Sequence, residues 1–379
     1  MASDPNLERT TDKTSPRTNR NLTNPPKKHN TNIPVCTTSL PSIFSVPNTK
    51  VSNVFAQLLG KGEQSVDVGN NTRTHVNVYF MPITDEAEAD KRVRILTPIY
   101  NPTGIDLTYT EFDRAVLGAV ASLVQAGNTV ILPSTIARLI TGCPNMTKVS
   151  DELIEHICES MEKQRYIHVK LDYTEELKRK RNGECFDSAN IKGSLVSSTE
   201  YTVYAGGYSL QGFEVSSVPI LFRYADDIDQ VLPIPLELLA VGGSDTPERV
   251  ALKHYMLRRF LARTTKMQDR ILFKNLYEIA GVIGTTASDR VQRTRVNKYI
   301  HTCLSAWLEM GILTDFDYEK DKKGTYIAIE FKTPSRQQNK AVEQPPELPE
   351  PPEPPVEVGE NQIDEARDII AAFGTYQGT

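Results

Sequence analysis

The longest periodic segment of the chain runs from Ser288 to Lys332. Val296, Tyr299, Ile300, Cys303, Leu304, Trp307 and Leu308 recur at spacings of three and four, which predicts one apolar helix face. Arg290, Arg293, Asn297 and His301 repeat on the opposite face. Gly311 stops the helix, Ile312 to Tyr318 alternates as a strand, Asp321-Lys322-Lys323-Gly324 turns, and Thr325 to Phe331 alternates back. Ahead of this segment, Pro247 at a first helical position opens a helix to about Thr265. A short strand, Ile271 to Phe273, and a short helix, Lys274 to Ala280, follow.

The same order of elements is written once before. Thr108 to Gln125 predicts a helix with Phe112, Val116, Val120, Leu123 and Val124 inward, and Thr129 to Leu132 a short strand. Pro133 starts a second helix carrying Ile136, Leu139 and Ile140. Ser150 caps a third, running through Gln164 with Leu153, Ile154, Ile157 and Met161 inside. Tyr166 to Tyr173 reads as a strand and Thr174 to Gly193 as a long charged excursion, the wing. Glu200 to Ala205 and Phe213 to Tyr224 read as strands. Helix, strand, two helices and a strand-bordered wing, twice over, predict an α+β protein of two consecutive winged-helix domains with disordered N- and C-terminal tails.

The expected division is a tail over 1–48, an N-terminal winged helix with preceding strands over 49–240, a C-terminal DNA-binding winged helix over 241–333, and a Pro/Glu-rich tail over 334–379. Val51 to Leu59 predicts a short helix; His75 to Met81 and Val93 to Tyr100 predict strands. The first tail is rich in Thr, Asn, Pro and Ser and lacks the apolar residues a core requires. In the last, Ile363, Ile369, Ile370 and Phe373 form a short amphipathic stretch, expected either to dock a partner or to be a fraying terminal helix without one.

Charge changes the picture more than composition does. The net charge of −5 argues against a nucleic-acid partner, but it is an average. From Thr246 to Thr333 there are 16 Lys/Arg and 10 Asp/Glu, a balance of +6; from Val93 to Ala240 there are 13 and 19, a balance of −6. Phosphate neutralisation dominates DNA affinity, so the second unit is the expected clamp. The third helices repeat the contrast: Glu152, Glu155, Glu159 and Glu162 form one acidic stripe, where the second unit has Arg290, Arg293, Arg295 and Lys298. Arg and Asn hydrogen-bond guanine and adenine edges in the major groove. The expected DNA contacts are therefore Arg290, Arg293, Arg295, Asn297, Lys298 and His301 on the helix, with Lys320, Lys322 and Lys323 on the wing. Lys178, Arg179, Lys180 and Arg181 are expected to touch phosphates from the first wing.

Other chemistry finds no motif. Cys36, Cys143, Cys158, Cys185 and Cys303 are scattered with no CxxC pair, which predicts reduced thiols, no zinc site and no other metal site. There is no phosphate-binding G-x-x-x-x-G-K-[ST] loop and no paired histidine nicking signature. Tyr224-Ala225-Asp226-Asp227 matches a polymerase metal turn, yet no further acidic strand accompanies it, and it reads as an acidic turn. No apolar run reaches the roughly 18 residues of a membrane span. The expectation is a non-enzymatic, cofactor-free, cytoplasmic and nucleoid-associated protein with double-stranded DNA, not membrane, as its partner.

The tandem order, the Trp307-Leu308-x-x-Gly311-Ile312-Leu313 ending and the wing Lys320 to Gly324 resemble the tandem winged-helix replication initiators of plasmids and related mobile elements. That resemblance implies binding of origin repeats by the C-terminal unit, a homodimer through the N-terminal unit, and recruitment of replication machinery, a helicase or its loader, through the acidic first unit or the C-terminal peptide. The acidic third helix of the first unit departs from it. A winged-helix transcriptional regulator without a replication role is the alternative; non-specific packing of nucleic acid is a third class, marked by equal affinity for random DNA.

Overall fold

The computed structural model describes residues 40–80, 108–181, 187–205, 208–243, 245–262, 269–284 and 286–334. The expected strand at 93–100, the Pro/Glu-rich tail beyond residue 334 and the amphipathic stretch around 363–373 lie outside them.

The chain opens with β1 (Ile43–Pro47), inside the stretch expected as tail, then α1 (Lys50–Leu58), β2 (Gly62–Gly69) and β3 (Thr72–Phe80). The first winged helix begins with α2 (Glu111–Gln125), β4 (Val130–Ile131), α3 (Pro133–Thr141) and α4 (Asp151–Tyr166). An insertion follows: β5 (Ile167–Asp172), α5 (Thr174–Lys180) and β6 (Asn190–Ser194). The wing is β7 (Ser198–Ala205) and β8 (Tyr208–Val215), and β8 pairs with β4 to close an antiparallel sheet of order β4-β8-β7. Then come α6 (Ile220–Asp227) and β9 (Val231–Pro235), the latter paired antiparallel with β1. The second winged helix is α7 (Pro247–Leu261), β10 (Arg270–Leu272), α8 (Phe273–Ile279), α9 (Ala287–Glu309), β11 (Asp315–Lys320) and β12 (Tyr326–Lys332). Its sheet order is β10-β12-β11.

Two expectations are corrected here. Thr174 to Gly193 is not the first wing: α5 lies within it, and β5 and β6 join β2 and β3 in a four-stranded antiparallel sheet of order β2-β3-β5-β6. Phe213 to Tyr224 is not one strand. β8 ends at Val215, and Pro219 caps α6, because proline lacks the N–H a continuing ladder needs.

α2 is the centre of the molecule. Thr110 and Asp113 form a reciprocal capping box at its start. Phe112 to Leu123 is buried on every side, as expected of a helix surrounded by other elements. A Cβ on Gly118 would lie 2.8 Å from Cζ of Phe44 and 3.1 Å from the Ser45 carbonyl oxygen, so only glycine lets β1 approach this closely. α7 packs against α2, joining the two units along one apolar core. Polar groups fix that joint. Arg258 donates to both carboxylate oxygens of Glu111 at 2.6 and 2.7 Å. The Trp307 indole donates to the Leu238 carbonyl at 2.9 Å. Lys253, with 0% exposure, reaches Asp245 at 3.1 Å and the carbonyls of Thr141 and Leu239. Removing any of these partners would strand a buried polar group, whose desolvation costs more than the bond itself is worth.

Candidate nucleic-acid interface

α9 is about 34 Å long at 1.5 Å per residue, long enough to cross a major groove. Thr286 and Asp289 cap it reciprocally, and those bonds hold the Asp289 carboxyl below the usual range. Its buried side is Tyr299, Ile300, Cys303, Leu304 and Trp307, as the periodicity predicts. Gly311, at φ +75°, lets the chain reverse while the Ile312 amide donates to the Trp307 carbonyl at 2.9 Å.

The six expected reading residues of α9 do not share one environment. Arg290, Arg295 and Lys298 are exposed and form no ion pair among the described residues. Val291, Arg295, Lys298 and Thr302 make a continuous outward stripe at spacings of four, three and four, with Arg290 and Thr294 beside it. Val291 is 53% exposed; the pattern of basic residues gave no reason to include it, yet a methyl-bearing side chain there can meet a thymine methyl.

Arg293, Asn297 and His301 instead face neighbouring elements. The Arg293 guanidinium sits 5.0 Å from the Tyr277 ring centroid on α8 and donates to the Gly284 carbonyl at 2.8 Å. The Tyr277 hydroxyl donates to Oδ1 of Asn297 at 3.0 Å, and burial pushes its phenol pKa up. His301 Nδ1 lies 3.0 Å from the Tyr318 hydroxyl, its ring edge-on to Phe316 on β11. These three tie α9 to α8 and the wing.

On the wing, Lys322 and Lys323 are exposed at a turn held by Asp321, whose Oδ1 accepts from the Lys323 and Thr325 amides at 2.8 Å each. Those amides, Thr325 first, draw the Asp321 pKa down, so the turn keeps its shape as a carboxylate. Lys320 is exposed with its ammonium 4.8 Å from the Tyr326 ring centroid. Arg270 and Glu319 form an ion pair across the same sheet.

The first unit is different. Glu152, Glu155 and Glu159 are exposed along α4, while Glu162 is half-buried, its pKa raised by desolvation and by Glu200. Lys178, Arg179 and Lys180 are on α5 and Arg181 caps its end, away from the wing. Arg179 is engaged internally, donating to the Gly69 carbonyl at 2.7 Å, while Lys178, Lys180 and Arg181 are exposed. The helix is short, but Glu176 anchors it inward, accepting from Thr74 at 2.9 Å and from the Tyr224 hydroxyl at 2.5 Å. That contact also places the Tyr224-Ala225-Asp226-Asp227 segment. It lies on α6 with Tyr224 buried and Asp227 accepting from the Tyr173 hydroxyl at 2.6 Å. No group of three metal-binding side chains occurs among the described residues, and none of their helices is long and apolar enough to cross a membrane.

Fold and surface together define a tandem winged-helix protein with one cationic and one acidic third helix. No protein-family model and no curated protein matches the sequence. Two similar solved structures are both of RctB. One, of selenomethionine derivatives of its domains 2 and 3, has a TM-score of 0.32 and 13% identity, covering 72% of this chain and 92% of that one. The other, of domains 2–3 (RctB-155-483), has a TM-score of 0.35 and 12% identity, covering 76% and 99%. At such identity and TM-score the likeness says nothing of what this chain binds.

Proposed function

We propose that this chain is a sequence-specific double-stranded-DNA-binding protein that starts replication of a plasmid or other mobile element. The observation that carries the DNA-binding step is the outward stripe of α9, where Arg290, Arg295 and Lys298 are exposed and without an ion-pair partner among the described residues while the helix is locked behind them by Arg293, Asn297 and His301. A reading helix must be rigid as well as cationic, because mobile side chains lose entropy on docking. In this reading Arg295 and Lys298 enter the major groove, Val291 meets a thymine methyl, and Lys320, Lys322 and Lys323 lie along a phosphate backbone.

The initiation step is supported by the fusion of two unlike units on one core. A cationic reader held firmly to an acidic body suits a protein that grips DNA with one half and offers the other to a second copy or to replication machinery. The acidic stripe of α4 would repel phosphates, so protein rather than DNA is its expected partner. Linking the gene with its flanking DNA to a marker on an origin-less circle tests this. Autonomous maintenance that is lost with Arg295→Ala/Lys298→Ala supports initiation. Specific binding with no maintenance, and altered transcription from the bound site, would replace it with a regulator.

A further inference from the structure

The four-stranded sheet carries a second surface that neither α9 nor the wings use. Its inner side is Val76, Val78, Val169 and Leu171, all buried. Its outer side places Asn77 and Tyr79 of β3, His168 and Lys170 of β5, and Lys192 and Ser194 of β6 on one face, by strand alternation and register. Lys170 stands directly opposite Lys192, and both are exposed. Like charges directly opposite each other destabilise an antiparallel pair. Asp172, Glu63 and Asp67 share this face by register; Asp172 accepts from the Thr174 amide and hydroxyl and Asp67 from the Gly69 amide, and none of the three forms an ion pair with either lysine. Among the described residues neither ammonium has an ion-pair partner.

One step along the same register, Tyr79 and His168 stack at 5.8 Å between centroids with 29° between planes. Ser194 Oγ sits 3.2 Å from His168 Nε2. Burial, with Lys192 adding to it, keeps the His168 pKa below the ordinary imidazole value. Same-face neighbours on a strand are about 7 Å apart, within the span of one nucleotide. Two cations without an ion-pair partner among the described residues, beside paired half-buried aromatic rings, match a polyanion that also presents flat apolar faces. Duplex DNA hides those faces inside its own stack, whereas unpaired bases expose them.

We propose that this sheet face binds single-stranded nucleic acid, with a base on the Tyr79–His168 pair and phosphates at Lys170 and Lys192. The site stands apart from α9 and does not depend on the duplex reading. The test is fluorescence anisotropy of the full chain with labelled oligodeoxyuridylate, oligouridylate and a closed hairpin whose stem carries the duplex sequence the chain selects. Tyr79→Ala should weaken single-strand binding about tenfold, the lower part of the range for one lost base stack, and Tyr79→Phe should restore it. Lys170→Gln/Lys192→Gln should make the salt dependence shallower by about 1.4 in log–log slope, roughly 0.7 for each phosphate on a single strand. Hairpin binding should be unchanged in both, whereas Arg295→Ala/Lys298→Ala should show the reverse pattern. Binding of either oligonucleotide with this pattern supports the site, and the preferred sugar identifies the source. A wild-type chain that ignores both oligonucleotides would overturn it. So would sheet variants that bind them normally, or that lose hairpin and single strand equally. Each of these outcomes leaves the α9 result readable by itself.

Discussion

Arg293 and Arg295 are two positions apart on one helix, yet their alanine variants should fail in different ways. Arg293→Ala removes a cation–π contact with Tyr277, generally about 0.5–2 kcal/mol, and a charge-assisted hydrogen bond to the Gly284 carbonyl, about 1.5–3 kcal/mol when well shielded. Arg293 is half-buried, so the two overlap and solvent screens part of each. A net loss of about 1–3 kcal/mol in folding stability follows. Arg295 is exposed and unpaired among the described residues, so its removal should stay within about 0.5 kcal/mol of wild-type stability. It should instead cost roughly 1–3 kcal/mol of affinity on a cognate duplex and far less on random DNA. Urea unfolding followed by tryptophan fluorescence reports the first quantity, since buried Trp307 lies on the same helix. Anisotropy titration in conditions where both variants remain folded reports the second. The reasoning fails if Arg293→Ala is as stable as wild type and selectively loses the cognate site, or if Arg295→Ala unfolds early and binds normally.

Three further outcomes are expected. Lys253→Ala leaves the buried Asp245 carboxylate and the carbonyls of Thr141, Leu239 and Val241 without their cation and should cost about 3–5 kcal/mol, while Lys253→Met with Asp245→Asn should recover much of that in the same urea assay. His254 is buried, and burial lowers its pKa to about 3; the Ile140 carbonyl accepts at 2.8 Å from Nε2 and opposes that shift. The unfolded imidazole binds its proton near pH 6.5 and the folded one does not, so stability should fall as pH drops from about 6.5 towards 3. Thermal melts of His254→Gln should show a shallower acid slope, and an unchanged slope would clear His254 of the effect. Lys322→Gln/Lys323→Gln should reduce the duplex salt slope by about 0.9 for each lost phosphate contact, measured by titration across salt; an unaltered slope removes the wing from the interface.

Much of the second unit was legible because its pattern is local. The buried side of α9, its glycine stop and the Asp321-to-Gly324 turn follow from spacings within one segment, although β11 starts three residues later than alternation suggests. The first unit was harder because its insertion pairs with distant chain: His75 on β3 is in register with Asp172 on β5, and nothing near Thr174 reveals that partner. α5 was missed because only Leu177 is apolar within it, its anchor being the polar contact of Glu176 with Thr74 and Tyr224. At the candidate site the residue types were informative but their direction was not. Arg293 and Arg295 are chemically identical in a sequence, and only the position of Tyr277 on the neighbouring helix separates a brace from a reader. The outer face of the four-stranded sheet was invisible for the same reason, since Lys170 and Lys192 meet only through cross-strand register.

The central claim is that the outward stripe of α9 reads a duplex sequence. Selection of bound duplexes from a random pool, by the full chain and by Arg295→Ala/Lys298→Ala in parallel, tests it most directly. The account predicts that the wild-type chain enriches a shared motif, and that the variant, folded to the same extent, enriches none or one relaxed at the positions those side chains contact. Retrieval of the same motif by both proteins, or of no motif by either, would contradict it.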